Sequence, residues 1–156
     1  MTEPAEATQQ SSHGGGHRSP LAEAVEQAGI VVTQMLIVED VARSVAFYRD
    51  VLGADLMREE APAMLRLHNA WLVLNVGGGP TEDKPEVTVT PPLGTNFVSS
   101  FLNIRVADIH SIHERWSERG ARFLTPPMDR GAELRCYLRD PDGYLIEVGQ
   151  ALPPSR

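Results

Sequence analysis

The chain of 156 residues contains a single cysteine, Cys136. An intrachain disulfide is therefore excluded, and the composition fits a reducing, cytoplasmic setting. No apolar run approaches the ~18 residues of a membrane-spanning helix. The N-terminus has no charged segment followed by an apolar one, so neither a leader nor a membrane partner is expected. Basic blocks are missing as well. With a net charge of −7 and a pI near 5.2, nucleic acid and anionic membranes are disfavoured as partners. Large apolar residues are almost absent from Met1 to Pro20, so this stretch reads as a disordered tail that cannot offset its ordering entropy. Its His13-Gly-Gly-Gly-His17 tract is at most a weak metal trap. A short helix is expected over Leu21–Ala28, stopped by Gly29. Residues 1–28 thus form a tail, and residues 29–151 are one domain of ordinary 42% hydrophobic content.

What is present is a repeated order of elements. Ile30–Val38 reads as a strand. Asp40 caps a helix whose stripe is Val41, Val45, Tyr48 and Leu52, and Gly53 ends it. Three β segments follow, at Ala54–Glu59, Ala63–His68 and Trp71–Val76. Residues 78–98 form a long connection rich in Gly, Pro and charge, and Gly77–Gly79 at its start reads as flexible turn material. The same order then returns. Phe101–Val106 is a strand, and Asp108 caps a helix carrying Ile109, Ile112 and Trp116 on one face, with His110 and His113 on its surface. Ala121–Thr125, Leu134–Arg139 and Tyr144–Val148 are expected as three further strands. Val38–Val41 matches Val106–Ile109, and Leu74-Asn75-Val76-Gly77 matches Ile146-Glu147-Val148-Gly149. The chain is therefore read as an α+β fold of two tandem βαβββ modules, about 31–77 and 99–149.

The last hairpin carries the strongest local signal. In Asp140-Pro-Asp-Gly143, Pro presets φ, Asp bonds the local backbone and Gly accepts a positive φ. Alternation in the following strand turns Ile146 and Val148 to the core and Leu145 and Glu147 the other way. A carboxylate placed there is either solvated or used.

Val38-Glu-Asp-Val-Ala-Arg-Ser-Val-Ala-Phe-Tyr-Arg-Asp-Val-Leu-Gly53 and Arg139-Asp-Pro-Asp-Gly-Tyr-Leu-Ile-Glu-Val148 resemble the two hallmark stretches of the glyoxalase / bleomycin-resistance / extradiol-dioxygenase group, the vicinal oxygen chelate superfamily. The resemblance spans about Val31–Gln150. It implies a curled mixed sheet with helices outside and a cavity within, in a protein that is often a homodimer. It also implies divalent-metal ligands on the first and last strand of each module. Carried over to this chain, those positions hold Thr33, Asn75, Phe101 and Glu147, where the group has His, Gln or Glu. Phe101 has no donor and Thr33 is a weak one, so only Glu147 is a credible ligand and a metal cofactor is disfavoured. Gln34 is the alternative should the register slip by one, and His68 only if its turn folds over the cup.

Alternation gives the cavity walls. Thr33, Met35 and Ile37 form one, Phe101, Asn103 and Arg105 the other, with Trp71, Asn75, Leu145 and Glu147 at the flanks. A mainly apolar pocket with few polar groups suits a small molecule. Arg105 pairs with Glu147 or orients a ligand, and an isolated Glu147 is a candidate general base. Three functions remain open. They are a bleomycin-resistance-like binding module without a full metal site, a glyoxalase-type lyase, isomerase or dioxygenase using a metal as Lewis acid, and an assembly module with no ligand.

Overall fold

A computed structural model describes residues 19–94 and 96–153. The expected tail up to residue 18, with its His13–His17 tract, lies outside the described residues. The chain divides at Val31/Val32 into two compact units. In the first, helix α1 spans Pro20–Ala28. Ser19 Oγ accepts from the Ala22 N–H at 3.4 Å, and Pro20 sits in the first turn, where no N–H partner is required. Gly29 ends the helix at φ 75°.

The second unit is built from two four-stranded mixed sheets of identical topology. Strand β1 (Thr33–Ile37), helix α2 (Val41–Ala46) and strands β2 (Asp55–Arg58), β3 (Ala63–Leu67) and β4 (Ala70–Asn75) make the first module. Strand β5 (Leu102–Arg105), helix α3 (Ile109–Glu118) and strands β6 (Met128–Asp129), β7 (Glu133–Arg139) and β8 (Leu145–Ala151) make the second. The strand orders are β1-β4-β3-β2 and β5-β8-β7-β6. In each sheet the first strand lies parallel to the last, and the other pairs are antiparallel. This is the tandem βαβββ, α+β architecture that the internal repeat implies.

Local chemistry explains the elements. Asp40 and Asp108 each accept from the backbone N–H three residues on, Arg43 and Ser111, at 3.0 Å. After Ala46 the helix widens into a π-helical turn over Phe47–Val51, where the Leu52 N–H reaches back to Phe47 O at 3.3 Å. The apolar stripe survives this change. Val45, Tyr48 and Leu52 are buried and Val41 packs partly against the core. A single core joins both modules, with Leu36, Leu65, Leu72 and Leu74 from the first and Ile109, Trp116, Leu138, Ile146 and Val148 from the second. Cys136 is in it, and burial pushes its thiol up to about 11.

The Asp140–Gly143 turn fastens the two modules together. Asp140 Oδ1 accepts from the N–H groups of Asp142 at 3.0 Å and Tyr144 at 2.8 Å. Asp142 accepts from the Glu39 N–H at 2.8 Å, the Arg43 guanidinium at 2.9 Å and the Ser44 hydroxyl at 2.8 Å, all around the start of α2. The Tyr144 hydroxyl donates to Ile37 O at 3.1 Å, within β1. Tyr144 thereby serves the junction between modules while packing partly against the core.

Three sequence expectations are corrected. Residues 121–125 form no strand. Only Phe123 bridges Leu138, because Pro126 and Pro127 follow without N–H groups, and the edge strand starts after them at Met128. Gly77–Gly79 is not loose, since Gly78 and Val89 exchange both backbone hydrogen bonds, at 3.0 and 2.9 Å. Ideal Cβ geometry at Gly77 explains the glycine there, as the added atom would stand 2.6 Å from Val89 O. His113 is half-buried, with its ring 4.3 Å from that of Phe123. Among the described residues, no helix is long and apolar enough to cross a membrane.

Candidate functional site

In the second sheet β8 lies between β5 and β7, so the side chains turned away from the core stand in rows. Ile146 and Val148, Cys136 and Leu138 point inward. Their neighbours therefore point outward. One row sets Asn103, Glu147 and Tyr137 side by side, and the next sets Arg105, Gly149 and Arg135. Leu145 pairs with Arg139 in the row before. Phe101, just ahead of β5, meets Tyr137 edge-on with ring centroids 6.3 Å apart.

Glu147 is the centre of this face. It is only 6% exposed, and a carboxylate so deeply buried requires partners. Asn103 Nδ2 donates to Oε1 at 2.5 Å, and the Tyr137 hydroxyl donates to Oε2 at 2.5 Å. Arg105 Nη1 stands 3.8 Å from Oε1, and Arg135 Nη1 stands 4.0 Å from Oε2. Arg105 pairs more closely with Glu133, at 2.5 Å, and Glu133 also faces Arg135 at 3.3 Å. Two guanidiniums thus alternate with two carboxylates. Gly149 makes room for this, because a Cβ there would lie 2.8 Å from Arg105 Cζ. The hydrogen bond to Glu147, and then burial, raise the Tyr137 hydroxyl above its ordinary range. It stays protonated at neutral pH and acts as the donor. The Arg135 guanidinium lies 5.7 Å from the Tyr137 ring centroid.

The structure gathers only part of the set named from the sequence. Phe101, Asn103, Arg105, Leu145 and Glu147 share the face just described. Thr33, Met35, Ile37, Trp71 and Asn75 lie on the first sheet, where Thr33 pairs with Trp71, Met35 with Val73 and Ile37 with Asn75. An open cavity of about 610 Å³ is lined by Asn96, Val98, Phe101, Leu124, Tyr137, Arg139 and Leu145. A second, of about 450 Å³, lies between residues 90–100 and the Gly143–Leu145 stretch. The five first-sheet residues line neither. Sequence reasoning also passed over Tyr137, Arg135 and Glu133. The signal was present, since Arg135, Tyr137 and Arg139 alternate with Leu134, Cys136 and Leu138.

A family model for the Glyoxalase/Bleomycin resistance protein/Dioxygenase superfamily matches residues 28–148. The chain belongs to this superfamily. A probable lactoylglutathione lyase from Synechocystis is 27% identical over 74% of this chain and 91% of its own length. The metallothiol transferase FosB of Shouchella clausii is 30% identical, over 71% of this chain and 73% of its own. A superfamily protein of known structure from Nocardioides superposes with a TM-score of 0.64 at 21% identity, over 87% of this chain and 96% of that one.

The resemblance implies metal ligands at equivalent places in the two modules, so strand register decides which residues would occupy them. Asp40 and Asp108 cap equivalent helices, which makes Met35 the counterpart of Asn103. Met35 pairs with Val73, and Asn103 pairs with Glu147. Val73, not Asn75, is therefore the counterpart of Glu147. The match between Gly77 and Gly149 misled the sequence alignment by two residues. The four positions then hold Thr33, Val73, Phe101 and Glu147, a set with one carboxylate. His68, the alternative ligand, is exposed at the β3–β4 turn. Both Glu147 oxygens already accept hydrogen bonds, and two guanidiniums lie within 4.0 Å. These residues do not fit a divalent metal.

Proposed function

We propose that this superfamily member is a small-molecule-binding protein that works without the group's full metal site, with the outward face of the second sheet as its floor. The observation that carries this reading is the state of Glu147. The carboxylate at the group's ligand position is held by Asn103 and Tyr137 and matched by Arg105 and Arg135. A bound molecule would meet Phe101 and Leu145 on the apolar side and the Tyr137–Glu147 pair on the polar side. A pocket with apolar walls and a few fixed polar groups is the usual small-molecule design. Thr33, Met35, Ile37, Trp71 and Asn75 form a second such face. Met35 and Phe101, 47% and 48% exposed, support the pairing of two copies as a homodimer that would cover both faces. The buried single cysteine suits a cytoplasmic setting.

A glyoxalase-type lyase is the second reading, favoured by the names of relatives that cover most of their own length. Under it Glu147 is a metal ligand or general base. The two readings separate in a ligand screen by calorimetry, run with and without chelator. Metal-independent binding that weakens in Arg105→Ala and Glu147→Gln supports the first. Binding or turnover that vanishes with chelator supports the second. A protein that binds nothing in either condition is left with the assembly role.

A further inference from the structure

The hydrogen-bond direction at Tyr137 restricts what the cavity beside it accepts. Glu147 is an acceptor-only carboxylate, matched in charge by Arg105 and Arg135 at 3.8 and 4.0 Å. A phenol has one hydrogen, and that of Tyr137 is given to Glu147 Oε2 at 2.5 Å. Toward anything else the Tyr137 oxygen can only accept. Tyr137 lines the cavity of about 610 Å³ together with Phe101, Leu145, Leu124 and Val98. Phe101 and Tyr137 meet edge-on, which leaves ring faces and edges for a flat apolar body.

Charge narrows the choice further. A ligand ammonium would face Arg139, on the same lining, and Arg135, over the Tyr137 ring. A ligand carboxylate would find Arg139 already donating to Gly143 O at 2.8 Å, and at the Tyr137 oxygen it would set lone pair against lone pair, with Glu147 behind it. We infer that the cavity selects neutral aromatic molecules bearing a ring O–H or N–H, which donate to the Tyr137 oxygen. This rests on the small-molecule reading above and assigns the ligand class to that site. Glu147 is then a positioning residue, since its carboxylate fixes which way Tyr137 points.

The test compares three probes of nearly one shape on the full chain by calorimetry, namely 2-naphthol, 2-methoxynaphthalene and 2-naphthoate. One hydrogen bond of ordinary net strength corresponds to about a tenfold preference for 2-naphthol over its methyl ether. In Tyr137→Phe that ratio should fall toward one. Equal binding of naphthol and ether in the natural chain, or tightest binding of the naphthoate, overturns the inference and leaves the small-molecule reading standing. Binding of none of the three overturns both.

Discussion

The Tyr48 hydroxyl donates to Asp140 Oδ2 at 2.8 Å, and both residues are buried. One belongs to the helix of the first module, the other opens the last hairpin of the second. Asp140 is surrounded by three donors, and burial still raises its carboxyl above the ordinary range. Tyr48→Phe removes one donor and leaves the buried carboxylate short of a partner. A loss of about 1–3 kcal/mol is expected in urea unfolding at neutral pH. An unchanged midpoint would contradict the role given to this contact.

Tyr48 also predicts an alkaline limit. Burial first, and Asp140 next, hold its hydroxyl well above the ordinary value of 10.0. Above about pH 10 the unfolded chain therefore releases this proton while the folded chain keeps it. The folded state binds more protons, so stability falls as pH rises. Tyr137 and Tyr144, both raised, act in the same direction. Unfolding midpoints measured from pH 8 to 11 should drop steeply in the natural chain and less steeply in Tyr48→Phe. Parallel slopes would show that Tyr48 is not the main contributor.

Two adjacent glycines should behave differently. A Cβ on Gly77 would press on the Val89 carbonyl at 2.6 Å, which is backbone and cannot swing aside. One on Gly78 meets nothing within 4 Å. Gly77→Ala should cost about 1–3 kcal/mol through overpacking. Gly78→Ala should change the thermal midpoint little. Equal effects would mean that residues 77–89 are not held as described.

Gly149→Ala probes the site without removing a charge. The new methyl must displace the Arg105 guanidinium, a flexible group, so the fold should persist. The Arg105–Glu133 pair at 2.5 Å should break. Both partners are partly exposed, and such pairs contribute roughly 0–1 kcal/mol, so stability should hardly move. Affinity for a ligand of the second-sheet face should fall in Gly149→Ala as it does in Arg105→Ala. A binding isotherm that either substitution leaves intact would place the site elsewhere.

Much of this was legible in the sequence because it is written locally. The capping Asp40 and Asp108, the Asp140–Gly143 turn and the alternation around Glu147 are short-range signals, and the repeat orders them. Three features were missed, two of them because they depend on pairing between distant strands. The register that makes Val73 the partner of Met35 cannot be read from a glycine match at a strand end. The edge strand moved from Ala121–Thr125 to Met128–Asp129 because two prolines deny the ladder its donors. Alternation assigns a face to each strand, but it does not say which sheet that face will meet. The two predicted walls therefore lie on two separate sheets.

The central claim is that Glu147 serves a ligand face and not a metal. Metal content, measured by elemental mass spectrometry on the full chain and on its His13→Ala/His17→Ala variant, tests this most directly. The paired substitution removes the N-terminal tract as a source of adventitious ions. The account predicts far less than one zinc, nickel, iron or manganese per chain in the variant, after purification and after incubation with each ion. Close to one ion per chain in both proteins, lost in Glu147→Gln, would contradict it.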